Sequence, residues 1–430
     1  MDVTSIERML LDDRTKGMPG GVAPFALATI GEKRWNVLAE DLPLPLAVIK
    51  ESALAHNGAW MRRFLDLSGA KIAPHGKTTM APQLFARQLA DGAWGITVAT
   101  VQQLQVARQF GVGRVVLANQ LVGKQAIRFV VSELQRDPEF DFYCLVDSAE
   151  NVASLAAAAR EAGLQRPIQV LLEGGYPGGR TGVRDLAAAL SVARAVKDAS
   201  PIIALRGVEG FEGLFHSPTP GETEAQVAGF LGFLVEIAVA AAHENLFAPG
   251  TLILSAGGSA FYDLVVRRFK EAGLDREFMI LTRSGCYLTH DSVLYREAFA
   301  ALCARSTQAA SLGPGLRPAL EVWAYVQSRP EPEKALLTIG KRDVSYDEPP
   351  VALHWARPGD CKPLPVPDGH LVTGFNDQHC HMRVPPDSPL QVGDMVGFGI
   401  SHPCLTFDKW QVICLVDDDY TVTGAIRTFF

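Results

Sequence analysis

The sequence predicts an α/β chain: a closed (β/α)8 barrel followed by a β-rich domain. Three observations carry this. From about residue 45, short apolar runs alternate with helical stretches for roughly 260 residues, the pattern of βαβ units around a parallel sheet. Near residue 310 that rhythm stops and short strands separated by turns take over. The chain has 430 residues, more than one typical domain, so a large barrel plus a second unit fits the length.

Taken in order, residues 1–44 read as an N-terminal extension. It is broken by the turn cluster "GMPGG", and a strand or two from residues 25–42 are expected to join the β-rich domain. Residues 45–305 carry the barrel. "LPLAVIK" precedes "ESALAHNGAWMRRFLDLSG", and "KIAPHGK" precedes "APQLFARQLADG". "GITVAT", "RVVLANQ", "FDFYCLVDS" and "PIQVLLEGG" are each followed by a helical stretch. "GVEGFEG" comes before an alanine-rich helix, "TLILSAGGS" before "AFYDLVVRRFKEAG", and "FMILTRSGCY" closes the series. Eight or nine such repeats suit a closed barrel at least as well as an open sheet. Residues 306–430, with "KALLTIGKRDV", "GDMVGFGISH" and "WQVICLVDDD", form the β-rich domain.

Composition narrows the function classes. Net charge is −7 with no basic stripe, so no nucleic-acid partner is expected. The N-terminal stretch lacks the apolar core of a signal peptide. No segment reads as long and apolar enough to cross a membrane, so a cytoplasmic protein is expected. The seven cysteines are scattered without a CxxC pair, which reads as free thiols rather than a disulfide framework.

In a barrel of this kind, functional groups gather on the loops after the strands. Those positions are His75 and Lys77, Asn119 and Gln120, Asp147, Glu173 and Arg180, Glu209, Phe211, Glu212 and His216, Ser255 to Ser259, and Arg283 to Tyr287. "SAGGSA" and "RSGCY" are glycine turns at neighbouring strand ends, able to present backbone N–H groups to one phosphate. Lys77 beside such a cradle suits a Schiff base with a phosphorylated aldehyde, although a surface lysine reads the same locally. Arg180, in "GGYPGGRTGV", is either a loop arginine or a fixed cation aimed at an anionic oxygen. His402 and Cys404, two apart in "ISHPCLTFDKW", face one side of an extended chain and could share a borderline divalent ion. "DQHCH" adds Asp377, His379, Cys380 and His381 as a further ligand or a substrate contact.

Taken together these motifs resemble the D-threonine aldolase and D-serine dehydratase family, pyridoxal-phosphate enzymes of the alanine-racemase fold. "APHGKTTMAPQL" is similar to that family's "RPHVKTHK" segment, "GGRTGV" to its arginine turn, and "GFEGLFH" to its Y-x-G strand end. "SAGGSA" and "SGCY" resemble its phosphate turns and "SHPCLTFDKW" its His-x-Cys pair, all in the family's order from about residue 45 to the C-terminus. The bacterial branch called D-serine deaminase-like, or amino acid deaminase, is the nearest in pattern. Departures are Ala73 for the arginine, Thr79 for the second histidine, Phe211 for the stacking tyrosine, and Asp377-Gln378-His379 where the family has E-E-H.

The resemblance implies roles. Lys77 forms the Schiff base and moves the α-proton. His75 contributes to the cofactor site, Phe211 takes the ring-stacking position, and Arg180 points at the ring's phenolic oxygen. Ser255, Gly257, Gly258, Ser259, Gly285, Cys286 and Tyr287 surround the phosphate. His402 and Cys404 hold a divalent metal, zinc with manganese as the alternative, and Gln378 and His379 contact substrate. It also implies a homodimer. The expected activity is dehydration and deamination of a D-serine-like β-hydroxy amino acid to a 2-keto acid and ammonia. Aldolase and racemase chemistry, and a non-catalytic pyridoxal-phosphate carrier, are the alternatives.

Overall fold

The computed structural model describes residues 1–430. Eight parallel strands form its first layer: β1 (Lys71–Ile72), β2 (Ile96–Val98), β3 (Arg114–Gln120), β4 (Asp141–Val146), β5 (Ile168–Gly174), β6 (Ile203–Gly210), β7 (Leu252–Ser255) and β8 (Phe278–Thr282). Their order in the sheet is β1-β8-β7-β6-β5-β4-β3-β2. The sheet closes on itself because His75 bridges Thr97 in parallel, with the Thr97 amide donating 2.9 Å to Pro74 O. The result is a barrel, as expected from the alternation.

Local chemistry starts the helices outside it. Thr100, Ser148, Asp185 and Thr219 each stand at a strand-to-helix turn and accept a hydrogen bond from the amide three residues on. This satisfies one of the orphan donors of each first turn. Inside the barrel, Ala73, Val116, Tyr143, Leu145, Leu171, Ile253 and Leu281 form a separate apolar cluster. The interior is therefore packed, and chemistry is confined to the strand ends.

The helix Pro220–His243 corrects the membrane expectation. Its apolar window reaches a mean hydropathy of 1.8, long and apolar enough for a span. Here it covers the barrel wall, burying Phe230, Leu234 and Ile237 among others. Alanines raise its hydropathy without adding bulk.

The β-rich domain is organised on β9 (Leu320–Glu331), whose first half pairs antiparallel with Met395–Gly399 and with Leu46–Lys50. Its second half pairs with Lys334–Leu337. Leu46–Lys50 also pairs in parallel with Val412–Val416. The strand expected to open the barrel at residue 45 thus lies in the other sheet, and the barrel begins at Lys71. Its four apolar residues, Leu46 to Ile49, are buried on both faces as those of a barrel strand would be, so the run's own pattern does not choose. The N-terminal extension adds no strand to this sheet: it docks through the isolated bridge Asn36–Thr421, the Val37 amide donating to Tyr420 O at 3.1 Å and the Lys16–Asp343 ion pair, while Phe25–Ala26 pairs with Leu10–Leu11 instead.

Candidate active site

After β1 the chain makes one tight turn, Gly76–Thr78, and this places Lys77. Gly76 is buried under Phe85 and Ile96, while Lys77 projects exposed at the barrel mouth. Beside it lies a cavity of about 150 Å³ lined by His75, Lys77, Asn119, Glu173, Arg180, Glu209, Phe211, Gly258 and Arg283, with Ala99 and Ala118. Burial, reinforced by the nearby Lys77, Arg283 and Arg180 cations, holds the His75 imidazole well below its ordinary range, so the ring is neutral. Its Nδ1 is buried without a partner.

Arg180 lies with its guanidinium 4.6 Å from the Phe211 ring centroid, a cation–π contact that Phe supports as well as Tyr. Its loop is pinned from two sides. Arg184 donates 2.8 Å bonds to Thr181 O and Gly182 O, and the Gly182 amide donates to Asp147 at 3.0 Å. Arg184 was not singled out from sequence, although it is the second arginine of the same glycine-rich loop.

The cavity floor is acidic. Glu173 accepts from Gln120 and from Thr181, and burial raises its carboxyl. Glu209 is pushed up to about 8 by burial, partly opposed by its ion pair with Arg283. Glu212 is fully buried, and its carboxylate accepts from the Gly257 amide at 3.0 Å and the Gly258 amide at 2.9 Å.

That last pair revises the cradle. The Gly257 and Gly258 amides, expected to face a phosphate, are occupied by a carboxylate. Ser255 accepts from Arg283 at 2.7 Å and donates to Leu281 O at 2.9 Å, below the mouth. Tyr287 is buried with its hydroxyl toward Gln88. The amides of Ser259, Gly285 and Cys286 donate to no group of the chain. The Ser259 and Ser284 hydroxyls sit 3.1 Å apart beside them. Gly285 is required there: a Cβ would meet His75 O at 2.6 Å and Thr78 Oγ1 at 2.7 Å. The turn after β8 therefore packs directly on the lysine segment. Three free amides and two hydroxyls fit a phosphate.

His402 and Cys404 arrive at the same turn from the β-rich domain of the same chain. Cys404 Sγ is 3.5 Å from Thr78 Oγ1 and 3.9 Å from Cys286 Sγ. His402 Nδ1 is 2.6 Å from Asp347 Oδ2, leaving Nε2 as the free ring nitrogen. Contact with Cys404, then Asp347, lifts His402 to about 9 against the effect of burial. Cys286 first, and then His402, hold the Cys404 thiol well below its usual range. A thiolate beside an imidazole oriented by a carboxylate is a donor set suited to a borderline divalent metal. No third His, Cys, Asp or Glu completes a cluster.

The "DQHCH" segment goes elsewhere. Cys380 is in the core, His381 bonds Asn376 at 2.7 Å, and Gln378 bonds Asp343 at 3.4 Å. His379 is exposed, and neither it nor Gln378 lines the cavity. His216 is exposed outside it too.

The family model for the alanine racemase N-terminal domain matches residues 49–272, more than half of the chain. The chain belongs to that family. Its second domain matches a further model, "Putative serine dehydratase domain", over residues 319–416. Known proteins are similar to part or most of the chain. D-threonine aldolase from Arthrobacter sp is 24% identical over 400 residues, covering 93% of this chain and 94% of the relative. D-threo-3-hydroxyaspartate dehydratase from Delftia sp. (strain HT23) is 30% identical over 159 residues, 36% of this chain and 40% of the relative. The crystal structure of D-threonine aldolase from Filomicrobium marinum superposes with a TM-score of 0.73 at 21% identity, over 90% of this chain and 95% of that one. The Delftia dehydratase gives a TM-score of 0.70 at 22% identity, over 92% and 99%. These superpositions establish the shared two-domain fold.

Proposed function

We propose that this protein is a pyridoxal-phosphate- and divalent-metal-dependent lyase that converts a D-β-hydroxy amino acid, D-serine or a close analogue, to a 2-keto acid and ammonia. One observation carries the reading: a cradle of free amides and the His402–Cys404 pair both pack on the Gly76–Thr78 turn that carries Lys77, all within one chain. Lys77 would hold the cofactor's aldehyde carbon, with Arg180 toward its phenolic oxygen. Ser259, Gly285 and Cys286 would take its phosphate. Bound there, pyridoxal phosphate supplies an electron sink for the negative charge left at Cα when a bond to it breaks. His402 Nε2 and Cys404 Sγ would hold a metal, zinc in this proposal, whose Lewis acidity makes the β-hydroxyl a better leaving group. In support, a cysteine-to-alanine variant of a D-threo-3-hydroxyaspartate dehydratase has been solved in a metal-free form.

The chain's own residues do the rest. Lys77 Nζ accepts the α-proton. Asp347 fixes the His402 ring so that Nε2 stays available. Neutral His75 lines the cavity without adding a positive charge. Loss of the α-proton and β-hydroxide removes one water. Hydrolysis of the released enamine takes one water back, so the substrate yields keto acid plus ammonia with atoms balanced.

Aldol cleavage to glycine and an aldehyde is the second reading, favoured by the near full-length likeness to D-threonine aldolase. Assaying keto acid, ammonia and aldehyde from D-serine, D-threonine and D-3-hydroxyaspartate decides between them. Keto acid and ammonia support dehydration, and glycine with aldehyde replaces it by cleavage. No turnover of any D-amino acid sinks both. A homodimer is proposed as the working assembly, checked by sedimentation.

A further inference from the structure

The floor of the cavity, across the barrel from Lys77, holds an unused acceptor. Two carboxyls form that wall, Glu173 at the end of β5 and Glu209 near the end of β6. Glu173 has both oxygens engaged, one by Gln120 and one by Thr181. Glu209 has only Oε1 engaged, by Arg283; Oε2 is buried and meets no donor. Arg283 is itself committed, to Ser255 Oγ at 2.7 Å, to Gly210 O at 3.2 Å and to Glu209. Buried polar atoms without partners are rare, and one lining a cavity points toward a ligand.

The order of strands says which part of the ligand reaches it. The inference rests on the pyridoxal-phosphate reading above. In that cofactor the aldehyde is on ring carbon 4, the phosphate arm on carbon 5, and the ring nitrogen opposite carbon 4. Lys77 follows β1, and the phosphate cradle follows β7 and β8, with the sheet running β1-β8-β7-β6-β5. Carbon 4 at β1 and carbon 5 toward β8 and β7 leave the ring nitrogen facing β6 and β5. We propose that Glu209 Oε2 is the hydrogen-bond partner of the cofactor's ring nitrogen and keeps that nitrogen protonated. The proton balance is simple. A carboxyl O–H passes its proton to the ring nitrogen, giving carboxylate and pyridinium, and Arg283 stabilises the carboxylate. Burial raises Glu209 to about 8, so in the empty site the carboxyl carries a proton at neutral pH; the transfer is driven by the pyridinium and Arg283 stabilising the carboxylate from two sides. A pyridinium is the stronger electron sink and suits elimination. Glu209 is therefore a positioning and tuning residue, acting through the ring rather than on the substrate.

The test compares pyridoxal phosphate with its 1-deaza analogue, in which a C–H replaces the ring nitrogen. Both are titrated into wild type, Glu209→Ala and Glu209→Gln, and borohydride labelling maps the pyridoxyl group in each. Wild type should bind pyridoxal phosphate about tenfold to a hundredfold tighter than the analogue, the size of one charge-assisted bond. Glu209→Ala should show no preference. With ring-15N cofactor, wild type should give a pyridinium-type shift and Glu209→Gln a neutral-pyridine shift. Because Gln keeps the shape, that variant carries the test if Glu209→Ala does not fold. A label on Lys77 together with an unchanged preference in Glu209→Ala overturns the proposal and leaves the cofactor reading standing. So does a neutral shift in wild type. A wild-type label that misses Lys77 overturns the cofactor reading and this proposal with it.

Discussion

Replacing Glu209 by Gln should change how the stability of the cofactor-free protein depends on pH. Glu209 is 1% exposed, and burial lifts its carboxyl from 4.5 to about 8. Below about pH 4.5 it is protonated in both folded and unfolded chains and contributes nothing to the pH dependence. Between about 4.5 and 8 the folded state holds one proton more than the unfolded chain, so stability falls as pH rises. At ~1.36 kcal/mol per pH unit, the loss accumulates to about 5 kcal/mol by pH 8. Gln is neutral at every pH and keeps the volume, so this loss should vanish in the variant. His402, raised to about 9, and Asp291, raised to about 6, titrate in the same range but are common to both proteins. The difference between the two curves therefore isolates Glu209. Equilibrium urea unfolding at pH 5, 6, 7 and 8 reads it, with the variant gaining steadily on wild type. Parallel curves would show that Arg283 already keeps Glu209 ionised, and the reasoning fails.

Three further outcomes are expected. Lys77→Ala should lose the imine band near ~420 nm and the borohydride-stable pyridoxyl adduct; an adduct on another lysine would reassign the attachment point. Cys404→Ala should bind cofactor with unchanged colour, lose its metal by elemental analysis, and slow elimination by about a thousandfold, ~4 kcal/mol of barrier. Near-normal elimination without metal would make the His402–Cys404 pair structural. Arg184→Ala removes the two 2.8 Å bonds that staple the Arg180 loop and should weaken cofactor binding by about tenfold in a fluorescence titration. An unchanged affinity would show that the Asp147 contact holds the loop alone.

Much of the architecture was legible because it follows from local pattern. Apolar runs of strand length, each followed by a helical stretch, bury one side against the next unit, and that repetition specifies a parallel barrel. Residues at the ends of those runs are placed at the mouth by chain direction alone, which is why Lys77, Arg180 and Phe211 could be named. The same logic failed for Leu46–Lys50, whose five residues look alike whether they open a barrel or fill the sheet beside β9.

What only the tertiary structure decided is which groups find partners and which are left without. Glu212 reaches amides 45 and 46 residues away, so the glycines of "SAGGSA" are not free. Cys286, read as a phosphate neighbour, turns its thiol to Cys404, 118 positions on. Asp347, which orients His402, carried no signal of its own in "SYDEPP". Gln378 and His379 sat in a motif that resembled a substrate contact, yet they lie outside the cavity. The physical reason is common to all of these. Periodicity and turn chemistry depend on a few neighbouring residues and are written in the sequence. A hydrogen bond, an ion pair or an unpartnered buried oxygen depends on atoms brought together from distant strands, and only the closed barrel with its second domain brings them there.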